Sequence, residues 1–235
     1  MKCYRCGDKG EIGGCPDCGK VLALGQKGNV TITEEVLDRH VIPTEYLNVT
    51  WDVDLFKRSH PLLIDSQKGE YYIDQLTKII NIFKRGELPQ QSAIIISERG
   101  MAKKTFGYIC MKLAIANGYS VCPMLDNTEI KRINELSADN YKSWALYKLP
   151  KIEDVIGSDV LFLTVDYDRY STALRTIESV IDKRARHGRA TIVLTRFSLK
   201  AMSQYEKDKY ISLIEQTRGY NNKKYPVIIS CEEEY

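Results

Sequence analysis

The fold of this chain is decided by AIIISERGMAKKT, residues 93–105. Its first part, Ala93–Ile96, is an apolar run with the length and composition expected of a short buried strand. After a loop, Lys103 opens a stretch with one apolar face at helical spacing. The residues on that face are Phe106, Ile109, Cys110 and Leu113. A strand, a loop, a lysine and a helix in this order are typical of a phosphate-binding loop, where amides at a helix N-terminus hold an anion and the lysine reaches the outer phosphates.

The letters of this loop depart from the motif G-x-x-x-x-G-K-S/T. Ser97 and Ala102 stand where the two glycines belong, and Lys104 stands where a hydroxyl should hold Mg²⁺, an ion that a lysine would repel. A shift of one residue would let Lys104 and Thr105 serve instead. An ordinary turn with two solvated lysines is the alternative interpretation. The candidate nucleotide-binding residues are Ser97, Gly100, Ala102, Lys103, Lys104 and Thr105.

The same alternation of strand and helix continues outward from the loop. Four more apolar runs read as buried parallel strands: Ser120–Pro123, Val160–Val165, Thr191–Thr195 and Val227–Ser230. Further apolar stripes at helical spacing are Tyr72, Leu76, Ile79, Ile80 and Phe83, and Leu174, Ile177, Val180 and Ile181. This rhythm predicts an α/β fold with a five-stranded parallel sheet flanked by helices.

Composition places the chain among ordinary globular proteins. Of its 235 residues, 43% are hydrophobic and 28% charged, which excludes a disordered tail or linker. The apolar runs are far shorter than the roughly 20 residues that span a bilayer, and no secretory signal follows Met1. We therefore expect no membrane association and a cytoplasmic location. The net charge of +3 is too small to indicate a polyanionic partner by itself.

Four of the seven cysteines lie in two C-x-x-C hooks at the N-terminus. They are Cys3, Cys6, Cys15 and Cys18. Four thiolates complete the tetrahedral shell of a structural Zn²⁺, and the surrounding glycines allow tight turns around a metal. A closed shell leaves no open position for catalysis, so this metal would fold a docking module. An iron–sulfur or redox site is the alternative interpretation.

Several short segments, taken in order, resemble one family. They are Val41–Trp51, Gly118–Val121, Asp159–Asp166, Ile181–Arg184 and Arg189–Thr195. Over residues 41–235 the chain resembles the DnaC/DnaI-type replicative helicase loaders, which are AAA+ proteins and are also similar to the IstB transposition helpers. The resemblance implies a P-loop (AAA+, RecA-like) core without the helical lid, and a cysteine-rich N-terminal module is found in the DnaI branch.

The chain departs from the family pattern at the positions used for hydrolysis. At the end of the Walker B strand, where the family has an acidic residue, this chain has Thr164 and Val165. The next residue, Asp166, is therefore the candidate catalytic residue. Arg196 stands where the family has its sensor asparagine. Lys209 and Leu213 stand where the family has arginines in the next helix. Phosphoryl transfer relies on metal and positive charge aimed at the transferring group, so we expect weak or no turnover. Lys103 and the helix N-terminus could still bind ATP or ADP, with Mg²⁺.

The family also directs attention to a segment after the second predicted strand. In loaders this region touches single-stranded DNA, and here it interleaves cations with aromatic residues. The candidate DNA-binding residues are Lys131, Arg132, Lys142, Trp144 and Lys148. The alternative is a solvated amphipathic helix with Trp144 and Tyr147 packed inward. A second basic cluster, residues 183–189, is interpreted as a helix C-terminus whose cations complement the helix dipole.

Together these expectations describe three regions and one role. Residues 1–25 form a zinc-knuckle or ribbon module, 26–70 a connector, and 71–235 an AAA+-like core. The expected role is a helicase loader or helicase-binding accessory protein of DNA replication, acting as a homo-oligomer on a replicative DNA helicase. The alternatives are a non-catalytic AAA+-shaped adaptor or inhibitor of the replisome, and an IstB-like transposition helper that binds duplex DNA.

Overall fold

The computed structural model describes residues 30–59, 67–90, 92–97, 101–135, 149–165, 173–195 and 227–230. The helices are α1 (Glu34–Arg39), a 3₁₀ helix (Thr44–Tyr46), α2 (Val53–Ser59), α3 (Gln67–Lys84), α4 (Lys103–Ala116), α5 (Asn127–Glu135), α6 (Ile152–Gly157) and α7 (Ala173–Arg186). The strands are β1 (Ala93–Ile96), β2 (Leu125–Asp126), β3 (Phe162–Val165), β4 (Ile192–Thr195) and β5 (Val227–Ser230). Within these ranges, no helix combines the length and apolar character needed to cross a membrane.

The strands form one parallel sheet in the order β2-β3-β4-β1-β5. The last residues of three neighbouring strands are in register, since Thr195 of β4 pairs with Ile96 of β1 on one side and Val165 of β3 on the other. The predicted α/β fold with a parallel sheet flanked by helices is confirmed. Four of the predicted strand segments contain β1, β3, β4 and β5.

The predicted strand Ser120–Pro123 is wrong. That segment makes only an isolated bridge, Val121 to Val160, and the paired strand is the two-residue β2. Ser120 explains part of the difference, because its amide and hydroxyl bond the Asp159 carboxylate at 3.0 and 2.8 Å.

The sheet is covered on both faces, as its continuous apolar strands require. Residues of β1 alternate between two clusters: Ala93 and Ile95 face α3 and α4, while Ile94 and Ile96 face α5, α6 and α7. The predicted stripe of α3 is buried throughout. Gly107 lets α4 approach the sheet closely, because a Cβ there would collide with the side chain of Met124 and touch those of Phe162 and Leu194.

Residues 30–59, which precede α3, pack on the face of the sheet that α3 and α4 cover. Leu37, Ile42 and Phe56 are buried in the same cluster as α3 and α4. Lys112 attaches this segment to α4, because its ammonium donates to three backbone carbonyls at and after the end of the 3₁₀ helix. They belong to Tyr46 (2.8 Å), Leu47 (2.9 Å) and Val49 (2.6 Å).

The basic cluster at residues 183–189 corrects the prediction made for it. Lys183 and Arg186 are exposed in the last turn of α7, as expected for cations near a helix C-terminus. Arg184, however, is fully buried and binds the end of a different helix, α6. Its guanidinium donates to the carbonyls of Val155 (2.9 Å), Ile156 (3.2 Å), Ser158 (2.7 Å) and Ala190 (2.8 Å) and to the hydroxyls of Ser158 (3.2 Å) and Thr191 (3.0 Å). Burial lowers the pKa of Arg184 to about 10, so the side chain stays charged at neutral pH.

Candidate anion-binding loop after strand β1

The loop that follows β1 lies at the carboxyl edge of the sheet, where parallel α/β folds place their ligands. Ser97 continues the strand, is fully buried, and donates its amide to the carbonyl of Thr195 at 3.1 Å. Lys103 is the first residue of α4. The structure therefore contains the predicted order of strand, loop, lysine and helix. Gly100 lies outside the described residues.

Ala102 occupies the position of the second motif glycine and has a left-handed backbone, with φ 49° and ψ 24°. This conformation costs an L-residue roughly 1–2 kcal/mol, which is why glycine is usual at such a position. Ala102 is also the N-cap of α4 and has no polar side chain to cap the first amides. Helix amides without a side-chain cap favour an anion at this end of α4.

The ammonium of Lys103 turns back over the end of β1. It donates to the carbonyl of Ser97 and, at 3.0 Å, to the hydroxyl of the same residue. The side chain of Lys104 is exposed, and the hydroxyl of Thr105 lies 3.4 Å from that of Tyr46. Of the two predicted registers, the structure thus places Lys103, and not Lys104, against Ser97.

An aromatic pair flanks this end of α4. The rings of Tyr46 and Tyr108 lie 4.7 Å apart. Burial raises the pKa of the Tyr108 hydroxyl, and the neighbouring Tyr46, Glu129 and Glu45 add to the shift. Burial also raises the pKa of Glu129, while the amide of Asp126 and the nearby cations oppose the shift. These groups add titratable side chains next to the candidate loop.

The carboxylates of Asp126 and Glu129 have a structural explanation. Asp126 accepts hydrogen bonds from the amides of Thr128 and Glu129, each at 2.9 Å, and Glu129 accepts one from the amide of Asp126 at 2.7 Å. This reciprocal arrangement caps the N-terminus of α5. Their oxygens are therefore engaged in holding a helix.

The end of β3 offers no carboxylate within the part of the chain that the structure describes. Val165 is buried, and the Thr164 hydroxyl donates to the carbonyl of Leu125 at 3.2 Å. Asp166 follows directly and lies outside the described residues. The candidate catalytic acid thus remains a prediction from the sequence.

The candidate DNA-binding residues are brought together only in part. Lys131 and Arg132 are exposed on α5, where Lys131 lies 3.8 Å from Glu135 in an ion pair one helical turn away. Lys142, Trp144 and Lys148 lie outside the described residues. A combined basic and aromatic surface therefore stays a prediction.

The candidate zinc ligands Cys3, Cys6, Cys15 and Cys18 also lie outside the described residues. Among the residues that are described, no group of three or more side chains could hold a metal ion. The two cysteines found there, Cys110 and Cys122, are buried in the core, and burial raises the pKa of the Cys122 thiol to about 12. They are packing residues and not thiolate ligands.

Tyr72, whose helical spacing predicts only a core residue, also contacts the loop. Its ring is fully buried, as the α3 stripe predicts, but its hydroxyl reaches the loop. The hydroxyl oxygen lies 3.1 Å from Ser97 Oγ and donates to the carbonyl of Met101 at 3.2 Å. The sequence does contain a signal for this contact: Tyr72 is a tyrosine in a stripe of otherwise aliphatic and phenylalanine residues. A buried tyrosine hydroxyl needs a hydrogen-bond partner.

Comparisons with known proteins identify the fold. No protein-family model and no curated protein matches the sequence. A candidate primosome component from Streptococcus pyogenes serotype M3 matches with a TM-score of 0.55 and 12% identity, over 86% of this chain and 97% of that one. The DnaC helicase loader matches with a TM-score of 0.48 and 17% identity, over 71% and 91% of the two chains. DnaI matches with a TM-score of 0.49 and 11% identity, over 80% and 94%. The streptococcal match shows a shared fold.

Proposed function

We propose that this chain is an accessory protein of DNA replication of the helicase-loader kind. Its AAA+-like core would hold ATP or ADP at the loop after β1 and hydrolyse it weakly or not at all. Copies of the chain would assemble on a replicative helicase, and single-stranded DNA would contact the basic segment after β2. The resemblance to DnaC/DnaI-type loaders and the shared fold with a candidate primosome component support this assignment.

The observation that carries the proposal is the placement of Lys103. The lysine begins α4, directly after the left-handed Ala102, and its ammonium lies at the carboxyl end of a central strand. A positive side chain and uncapped helix amides at one point are what a phosphate chain requires. An ordinary turn with two solvated lysines does not explain why Lys103 is half-buried against Ser97.

Two features favour binding without efficient turnover. The position that usually holds Mg²⁺ is Lys104, an exposed cation. The end of β3, where the loaders have an acid, carries Thr164 and Val165, and both side chains are engaged in the fold. Phosphoryl transfer needs a metal and a positioned water, so loss of both supports would slow it by orders of magnitude.

Replacing Lys103 by alanine should weaken the binding of MgATP and MgADP by about ten- to a hundredfold, the effect of a lost hydrogen bond to a charged group. Calorimetric titration of the full chain measures this change. Lys78→Ala is the control, since this lysine is exposed on α3, pairs with Asp74 and should matter by less than about threefold. A wild-type protein that binds neither nucleotide would contradict the proposal.

A second candidate function is a non-catalytic adaptor or inhibitor that uses the same core as a scaffold. It is favoured by the Lys103–Ser97 contact, in which the protein's own carbonyl and hydroxyl accept from the lysine ammonium. This alternative predicts no nucleotide binding and no effect of Lys103→Ala. An IstB-like transposition helper would instead coat duplex DNA.

We propose that the N-terminal module contacts the helicase. A structural zinc ion would fold this module, bound by Cys3, Cys6, Cys15 and Cys18. The purified protein should contain about one zinc ion per chain, and Cys15→Ser should lose both the zinc and co-purification with the host's replicative helicase. Metal analysis and affinity co-purification measure the two results. Cys122→Ser, a buried core thiol, is the control and should retain both. Recovery of no helicase with zinc-loaded protein would count against the loader assignment.

A further inference from the structure

A single hydroxyl connects the two ends of the loop after β1. Tyr72 of α3 contacts Ser97, the first residue after the strand, and Met101, which precedes the left-handed Ala102. Its ring is fully buried in the core between α3 and the sheet, so the hydroxyl has little freedom to move. A rigid helix outside the loop therefore sets the distance between the loop's two ends.

Counting protons determines the direction of the hydrogen bonds. The Tyr72 hydroxyl has one proton and donates it to the Met101 carbonyl. Ser97 must then donate to the Tyr72 oxygen, and its own oxygen accepts from the Lys103 ammonium. The result is a directed chain from Lys103 through Ser97 and Tyr72 to the backbone of Met101, in which each hydroxyl both donates and accepts.

We propose that Tyr72 is a positioning residue of the nucleotide-phosphate site. It anchors the Met101 carbonyl, and thereby the left-handed turn at Ala102 that aims the first amides of α4. It also orients Ser97, whose oxygen accepts from the Lys103 ammonium. The inference rests on the proposed function and specifies how its site is held: the two described ends of the loop, Ser97 and Met101, are fixed by a hydroxyl of α3.

The test is Tyr72→Phe, which keeps the buried ring and removes only the hydroxyl. We expect the full chain to bind MgADP and inorganic tripolyphosphate about five- to twentyfold more weakly, since two neutral hydrogen bonds that shape the loop are lost. The matched control is Tyr119→Phe. Its hydroxyl donates to the carbonyl of Gly86 at 2.8 Å, and the residue follows the far end of α4. That variant should lose similar thermal stability but change either affinity by less than about twofold.

A second measurement separates the role of Tyr72 from the existence of the site. Hydrogen exchange of peptides spanning residues 97–106 in the ligand-free protein should be faster in Tyr72→Phe and unchanged in Tyr119→Phe. Unchanged affinity and exchange in Tyr72→Phe, with a wild-type protein that binds MgADP, would overturn this inference and leave the proposed function standing. Tighter binding would overturn it too, because Tyr72 would then be holding Lys103 away from the ligand. A wild-type protein that binds neither probe would remove the proposed function, and this inference with it.

Discussion

Replacing Arg184 by methionine should lower the free energy of unfolding by about 3–5 kcal/mol, the largest loss we expect from a single side chain here. The guanidinium is fully buried and donates to four backbone carbonyls and two hydroxyls. Methionine fills much of the same volume but leaves those acceptors without a donor. Removing a buried charge offsets part of the loss, which is why the expected figure is below the sum of the individual bonds.

Urea unfolding measures this change, and Arg186→Met is the matched control. Arg186 lies two residues away, exposed on α7, and pairs with Asp182 at 2.8 Å. Exposed pairs of this kind contribute little, so the control should change stability by less than about 0.5 kcal/mol. Arg184→Lys should be intermediate, because an ammonium cannot reach acceptors on three sides of a planar guanidinium. Equal effects of the two methionine variants would show that the buried network does not hold α6 to α7.

Replacing Lys112 by methionine should cost about 2–3 kcal/mol, the second largest effect. The Lys112 ammonium donates to three backbone carbonyls at and after the end of the 3₁₀ helix, at distances between 2.6 and 2.9 Å. Without it, three half-buried carbonyls lose a charged donor. The segment 30–59 should then separate from α4 before the rest of the core unfolds, because its own buried residues are few.

Limited proteolysis and urea unfolding measure these two consequences. Lys78→Met is the control: Lys78 is exposed on α3 and pairs with Asp74 one helical turn away. Its loss should leave stability within about 0.5 kcal/mol and should not expose the segment 30–59 to protease. If Lys112→Met behaves like this control, the apolar contacts of Leu37, Ile42 and Phe56 hold the segment without the lysine.

Apolar periodicity predicted most of the fold correctly. The strands β1, β3, β4 and β5 lie within the predicted runs, and the stripe on α3 is buried, because burial against two faces of a sheet demands those patterns. The misplaced strand at Ser120–Pro123 has a local cause. There the backbone pairs with Val160 at a single bridge, and the Ser120 amide and hydroxyl bond the Asp159 carboxylate, a contact that no apolar pattern signals.

Part of the candidate site could also be predicted from the sequence, and part could not. The positions of Ser97, Ala102 and Lys103 relative to a strand and a helix follow from residue order alone, and the structure agrees with that layout. The involvement of Tyr72 does not follow from it. Tyr72 lies well before the loop in the chain, and only the packing of α3 on the sheet brings its hydroxyl there.

By itself, the sequence determined the class of the fold, the strand that leads into the loop and the lysine that follows it, because hydrophobic burial and helix geometry act over neighbouring residues. Tertiary structure alone decided the strand order, the capping of α6 by Arg184 and the attachment of the loop to α3. These depend on contacts between residues far apart in the chain. Such contacts are selected by the free energy of the whole packed core, which no single segment encodes.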